Sequence, residues 1–365
     1  MENKLENFRI NVLDGFRALA ILIVLLFHYF SRWTTIYPYG EKYDFFGYGK
    51  MGVQLFFIIS GFVILYTLEN TNNFVAFWKK RMIRLFPAML IASIITYFVF
   101  VLFDTELLFP ASHFLKNILA SITFLPPDSI ASIFNNKVQL DYISGSYWSL
   151  WPEIQFYVFV SVIYFSNKNR FQLTFFTLTF MLLFFNFILH HIYIDNYFIN
   201  TARNFFVIFN LVESLPYFCF GVLFYHIYKN KILIKETSIY LKIYFTGLLL
   251  FLVYCNYWVM YKLVLIFCFL LLFIALIYYP KAIRFLENKI LLKIGISSYF
   301  LYLIHENIGV LMIYKYGEFL KSYEFIFPLV LTIFLILISI FYTYYTDKKI
   351  NNYLKKTFLK ERTLI

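Results

Sequence analysis

Residues 14–30 read DGFRALAILIVLLFHYF. After Arg17 the stretch is apolar until it meets His28, two residues from its end. Asp14 and Arg17 interrupt its start and no small-x-small cleavage site follows, so it reads as a retained helix and not as a removable leader. The rest of the chain repeats this pattern. Of 365 residues, 61% are hydrophobic and 14% charged, and the mean hydropathy is +0.71. Soluble globular chains carry roughly 45–50% apolar and about 25% charged residues. A run of ~18 or more residues with few charges marks a membrane-crossing helix. The composition therefore excludes a soluble domain and predicts an all-α, polytopic membrane helix bundle.

About ten transmembrane helices are expected, near 14–30, 51–67, 84–103, 147–165, 172–190, 206–228, 239–256, 261–279, 295–315 and 325–345. The two termini and the loops after the second, fourth, sixth and eighth spans carry over twice the Lys and Arg of the other loops. By the positive-inside rule, both termini are then cytoplasmic and residues 104–146 form an extracytoplasmic loop. The net charge of +12 is accordingly a topology signal, and the expected surroundings are membrane lipids and no nucleic acid. The expected organisation is one transmembrane domain over 1–346 and a basic cytoplasmic tail over 347–365, with no separate soluble domain. Cys219, Cys255 and Cys268 are too scattered for a disulfide framework or a metal site. They read as small buried apolar residues, and no metal is predicted.

An ionisable group in hydrocarbon costs at least ~2.5–3.5 kcal/mol on insertion scales, so it normally faces a bundle interior or a wet cavity. Arg17 and His28 are separated along the first helix by roughly 16 Å, which puts Arg17 near the cytoplasmic mouth and His28 near the outer end. Glu153 lies about 9 Å into the fourth span and His305 about 15 Å into the ninth. In a core ~30 Å thick, His28, Glu153 and His305 share nearly one depth, which permits lateral contact without establishing it. Plainer readings stand beside this one. His28 also reads as an interfacial histidine, and Glu153, after Pro152, as a carboxylate held by its helix dipole. His305 and Glu306 also read as a polar pair joining helices, and Lys79–Arg84 as a topology signal. Glu213 in the sixth span reads as structural.

Local sequences then add a resemblance. Leu13-Asp14-Gly15-Phe16-Arg17 leading into Phe27-His28 resembles the R-x10-H opening of the acyltransferase-3 family of integral-membrane O-acyltransferases. Gly52–Phe62 resembles its second-span motif, and Arg81-Met82-Ile83-Arg84 its R-x-x-R motif. Trp148-Ser149-Leu150-Trp151-Pro152-Glu153-Ile154-Gln155-Phe156-Tyr157 is similar to its W-S-L-x-x-E-x-x-F-Y stretch, and Gly295–His305 to its G-x-x-S-Y-x-L-Y-L-x-H. Five motifs in the family's order span residues 13–305. Trp151-Pro152 departs from the pattern, where a small residue and Val are more usual.

The resemblance implies transfer of an acyl group, usually acetyl, from cytoplasmic acyl-CoA to a hydroxyl of a cell-envelope carbohydrate, in a bacterial inner or plasma membrane. Acyl-CoA (acetyl-CoA) is then a donor substrate, and no permanently bound cofactor is expected. Arg17, Arg81 and Arg84 would hold its phosphates through guanidinium forks. A neutral imidazole, with an unperturbed pKa of ~6.5, suits His28 as general base, and an acyl-histidine intermediate stays open. Glu153 and His305 would orient the base or the acceptor, and Tyr157, Tyr299 and Tyr302 would line the sugar path. Some family members carry an extracellular hydrolase-like domain; here such a domain is expected only as a separate protein. The rival readings are a glycan transporter or flippase and an enzyme-dead scaffold. A transporter predicts broken helices in paired halves, and the sequence shows no internal repeat.

Overall fold

The computed structural model describes residues 10–135, 137–191, 194, 196–319 and 325–359. Lys4 and Arg9, the two basic residues before the first span, lie outside the described residues, as do positions 360–365 of the expected tail. The helices are α1 (Asn11–Phe30), α2 (Gly52–Glu69), α3 (Phe74–Phe103), α4 (Leu115–Ile122), α5 (Pro127–Ile133), α6 (Leu150–Ser166), α7 (Phe171–His191) and α8 (Tyr197–Ile208). They continue with α9 (Leu211–Ile232), α10 (Ile239–Asn256), α11 (Met260–Tyr278), α12 (Lys289–Ile304), α13 (Glu306–Tyr316), α14 (Ile326–Phe341) and α15 (Lys348–Leu359). No strand occurs among the described residues. Among the described residues, eight continuous helical stretches are long and apolar enough to cross a membrane. The pair α12–α13, bent by 71°, makes a ninth if it counts as one span. The predicted fourth span corresponds to α6, which has 17 residues.

Among the boundaries that differ from the sequence reading, two have a clear local reason. The third helix starts at Phe74, well before the expected 84, because the Asn73 side chain accepts a hydrogen bond from the Ala76 N–H (2.9 Å) and caps it. Lys79, Lys80, Arg81 and Arg84 therefore lie on helical turns and not in a loop. At the other end, α14 passes through a π-helical turn at Tyr342–Asp347 directly into α15, so the expected tail begins as helix.

The chain divides into two compact units. The first comprises the described residues within 1–53, 78–149 and 283–365. Its centre is α1, packed against α12, α13 and α14 and burying Phe16, Ala18, Ala20, Ile21 and Leu25. Close approach depends on Gly295, where a Cβ would collide with the backbone carbonyl of Asp14. Without a hydrophobic force between helices in lipid, such small-residue contacts hold bundles together. The 104–146 segment folds through side-chain to backbone bonds. Ser112 Oγ donates to Ile143 O (2.7 Å), Ser121 Oγ accepts from Ile143 N (3.0 Å), and Asn117 Oδ1 accepts from Asp141 N (3.0 Å). Asp104 anchors its start, accepting from Leu108 N (2.9 Å) and Phe109 N (3.3 Å) with His113 Nε2 at 3.0 Å. Burial pushes this carboxyl up, but the bonds from Leu108, His113 and Phe109 outweigh it and hold its pKa below the usual range.

The second unit comprises residues 54–77 and 150–282. Here α9 is central, with α6, α7, α10 and α11 around it. Gly61 and Gly221 bring the α2 and α9 backbones together, since a Cβ on either would strike the other helix. Aromatic stacking fills the core, as in Phe156–Phe218 (4.2 Å) and Phe224–Phe273 (5.0 Å). The outer faces stay apolar, with Phe184, Phe185, Leu250 and Leu271 exposed, as lipid-facing helices require. Cys219 is buried as expected, but Cys255 and Cys268 are exposed on α10 and α11. In an apolar solvent a small apolar side chain gains little from burial, so the soluble-protein rule fails there.

Candidate active site

Two sequence-predicted residues meet in the first unit. His28 stands in the last turn of α1, and His305 at the bend between α12 and α13. Their rings lie 4.9 Å apart between centroids at 78°. His28 also meets Phe27 edge-on (4.8 Å). The third member is one that the sequence reading set aside. Glu306, buried at the start of α13, places Oε1 3.3 Å from His28 Nδ1. The pair is close but not aligned as a hydrogen bond, and Nδ1 has no hydrogen-bond partner among the described residues.

Backbone bonds hold this cluster. Tyr29 donates its hydroxyl to the His305 carbonyl (2.8 Å), tying α1 to the bend. Tyr37 and Tyr39 donate to the carbonyls of His28 and Tyr29, which terminate α1 and would otherwise lack intrahelical partners. The bend itself has its cause in the hydrogen bonds to one carbonyl. In a straight helix the Tyr302 carbonyl serves the Glu306 N–H; here it also receives His305 Nδ1 (2.7 Å) and Ser146 Oγ (3.2 Å). Side chains inserted into the ladder kink helices. The bond to a carbonyl makes Nδ1 the protonated nitrogen of His305. Its Nε2 is then an acceptor, buried and without a partner among the described residues.

Gly145 closes one side of the cluster. A Cβ there would lie 2.9 Å from Glu306 Oε2, so a side chain at this position would displace the carboxylate from its place. Gly145 N donates to Asn307 Oδ1 (3.1 Å), and Asn307 Nδ2 donates to Ser112 Oγ (3.0 Å), which locks the 104–146 segment to α13.

The remaining predicted residues are distributed as follows. Arg17 donates to Asp14 Oδ1 (2.6 Å) one helical turn away. Arg81 is buried and Arg84 exposed on α3. Beside them, Lys79 Nζ donates to Phe358 O (3.3 Å), and Asp347 feels the charges of Arg84 and Lys355, so α15 adds lysines to this basic end. Tyr299 donates to Leu85 O (3.2 Å), while Tyr302 shares a bond with Ser149 Oγ (2.8 Å). With their hydroxyls engaged, these tyrosines offer a ligand mainly ring faces. Glu153 belongs to the second unit. There it accepts from Ser60 Oγ (2.9 Å) and from Tyr157 on the next turn (2.5 Å). Glu213 is exposed in the first turn of α9.

Glu306, Tyr29, Gly145 and Asn307 thus join the predicted set. The signal for Glu306 was its position beside His305, an uncompensated carboxylate in an apolar run; nothing in the sequence marked Gly145.

A family profile described as an acyltransferase domain matches residues 10–346. An O-acetyl transferase of Shigella phage Sf6 is 30% identical over 161 residues, covering 44% of this chain and 47% of the relative. The O-acetyltransferase OatA of Staphylococcus aureus (strain NCTC 8325 / PS 47) is 25% identical over 173 residues, covering 44% of this chain and 25% of the relative. The matched stretches thus span under half the length of these relatives. No solved structure matches the chain.

Proposed function

The chain belongs to the acyltransferase-3 family, and from that premise we propose that it is a membrane O-acetyltransferase using acyl-CoA as donor and a cell-envelope carbohydrate as acceptor. The observation that carries the reading is the His28–Glu306 contact beside His305. An imidazole whose Nδ1 faces a carboxylate is oriented with Nε2 toward the reactants, and the carboxylate stabilises the imidazolium as it forms. In the proposed reaction an acceptor hydroxyl attacks the thioester carbonyl carbon. A C–O bond forms and the C–S bond breaks; the hydroxyl proton passes to His28 Nε2 and from there to the departing CoA sulfur. His305 Nε2 accepts a hydrogen bond from a neighbouring hydroxyl of the acceptor and so positions the attacking one.

Arg17, Arg81 and Arg84, on the cytoplasmic side in this reading, receive the donor's phosphates, with the lysines of α15 adding charge. The thioester then reaches His28 along α1, roughly 16 Å from Arg17, and the acceptor arrives from the side of the 104–146 segment. The test uses purified full-length protein in lipid nanodiscs. His28→Ala is expected to lower acyl transfer by about 10²–10⁴-fold while acetyl-CoA affinity stays within about twofold, because the phosphate contacts lie a helix length away. Near wild-type transfer by folded His28→Ala would refute the assignment. An acylated His28 trapped with acetyl-CoA alone would replace base catalysis by a covalent, two-step route.

A further inference from the structure

Within the first unit, the 104–146 segment borders a half-open cavity of about 500 Å³ between itself, Trp33 beyond the end of α1 and the start of α13. Its size falls in the ~300–1,000 Å³ range of small-molecule sites. Its chemistry is mixed in a particular way. Trp33, Phe114 and Tyr142 give flat apolar walls, and between them stand Lys116, Gln139 and Asp141, which supply donors and acceptors alike. The Trp33 indole N–H is buried and faces the Glu306 carboxylate. Gly145 and Asn307 form the floor. That floor is thin, because Gly145 packs directly against Glu306 Oε2, the carboxylate whose other oxygen faces His28.

We propose that this cavity is the acceptor subsite and that it binds one or two neutral sugar units with free hydroxyls; the inference rests on the acyltransfer reading above. A sugar ring presents an apolar face of C–H groups edged by hydroxyls that both donate and accept. Aromatic walls match the face, and an amide, a carboxylate and an ammonium match the edge. One lysine and one aspartate among the lining residues balance, so the site lacks the surplus of cations that a phosphate or a polyanion needs. The glycine floor serves the same end, since any side chain at 145 would stand between the bound sugar and the carboxylate.

The experiment uses membrane vesicles from cells carrying the full-length protein, given radiolabelled acetyl-CoA. Base-labile label is then counted in the vesicles' carbohydrate fraction. The variants are Gln139→Ala combined with Asp141→Asn, and separately Lys116→Ala. Asp141→Asn keeps the oxygen that accepts from Tyr142 N (2.7 Å), and Gln139 and Lys116 are exposed, so the fold is spared. The double variant is expected to lose at least tenfold in labelled carbohydrate with acetyl-CoA affinity within twofold, and Lys116→Ala to lose severalfold. Unchanged labelling in both would overturn the subsite. So would a matching fall in acetyl-CoA affinity, which would place the defect outside the cavity. Absence of carbohydrate label in the wild type would instead overturn the acyltransfer reading, which separates the two failures.

Discussion

Two of the neighbours of Glu306 make different demands: His28 Nδ1 at 3.3 Å and the backbone of Gly145. Glu306→Gln keeps the volume beside Gly145 and removes the charge that balances an imidazolium. Turnover is therefore expected to fall by one to two orders of magnitude with acetyl-CoA affinity nearly constant, measured by steady-state kinetics in nanodiscs. Near wild-type turnover in Glu306→Gln together with a loss in Glu306→Ala would mean that shape and not charge matters. At this scale the sequence was informative about half the cluster. His28 and His305 were legible because an ionisable ring in a long apolar run needs a reason. Glu306 was hidden because its role depends on a bend, and in a straight helix two adjacent residues point about 100° apart.

The bend at His305 is also the main surprise among the helices, as no proline or glycine announces it. One cause is tertiary and one local: Ser146, from a distant segment, and the histidine's own ring both bond the Tyr302 carbonyl. Packing along α1 depends on a residue that was legible only as part of a motif. Gly295→Val is expected to push α12 off Asp14 and lower the melting temperature of the detergent-solubilised protein, by more than the ~1–3 kcal/mol of ordinary overpacking because the clash is with backbone. A melting curve matching wild type would contradict this. The 104–146 segment gives a pH prediction. Asp104 has a depressed pKa in the fold, so its stabilising bonds are fully present above the unfolded value of ~3.9 and are lost as pH falls through the lower folded value. Hydrogen exchange of residues 105–113 should accelerate below about pH 4, as judged from that reference, and Asp104→Ala should show the faster exchange already at neutral pH.

For the chain as a whole, crossing direction is the decisive unknown that loop charge addresses. With Cys219, Cys255 and Cys268 replaced, Lys137→Cys is expected to react with an impermeant maleimide in intact cells, and Lys349→Cys only after permeabilisation; the reverse pattern would invert the topology. The all-α class and the helical stretches were legible because hydrocarbon thickness dictates length. The division into two units was not, since each is assembled from segments far apart in sequence, and no local signal encodes that. The first unit's discontinuity has a consequence for biogenesis. Helix α1 leaves the ribosome some 260 residues before its partner α12, which at ~5–20 residues per second is a delay of about 13–50 s. During that interval it carries the Arg17 cation with only the following 44–52 segment to pack against. Its own Asp14–Arg17 pair, one turn apart at 2.6 Å, neutralises that charge within the helix and makes the wait tolerable. A replacement at Asp14 should therefore be felt first by the insertion machinery, as nascent chains that stall or are degraded before any site exists to inactivate.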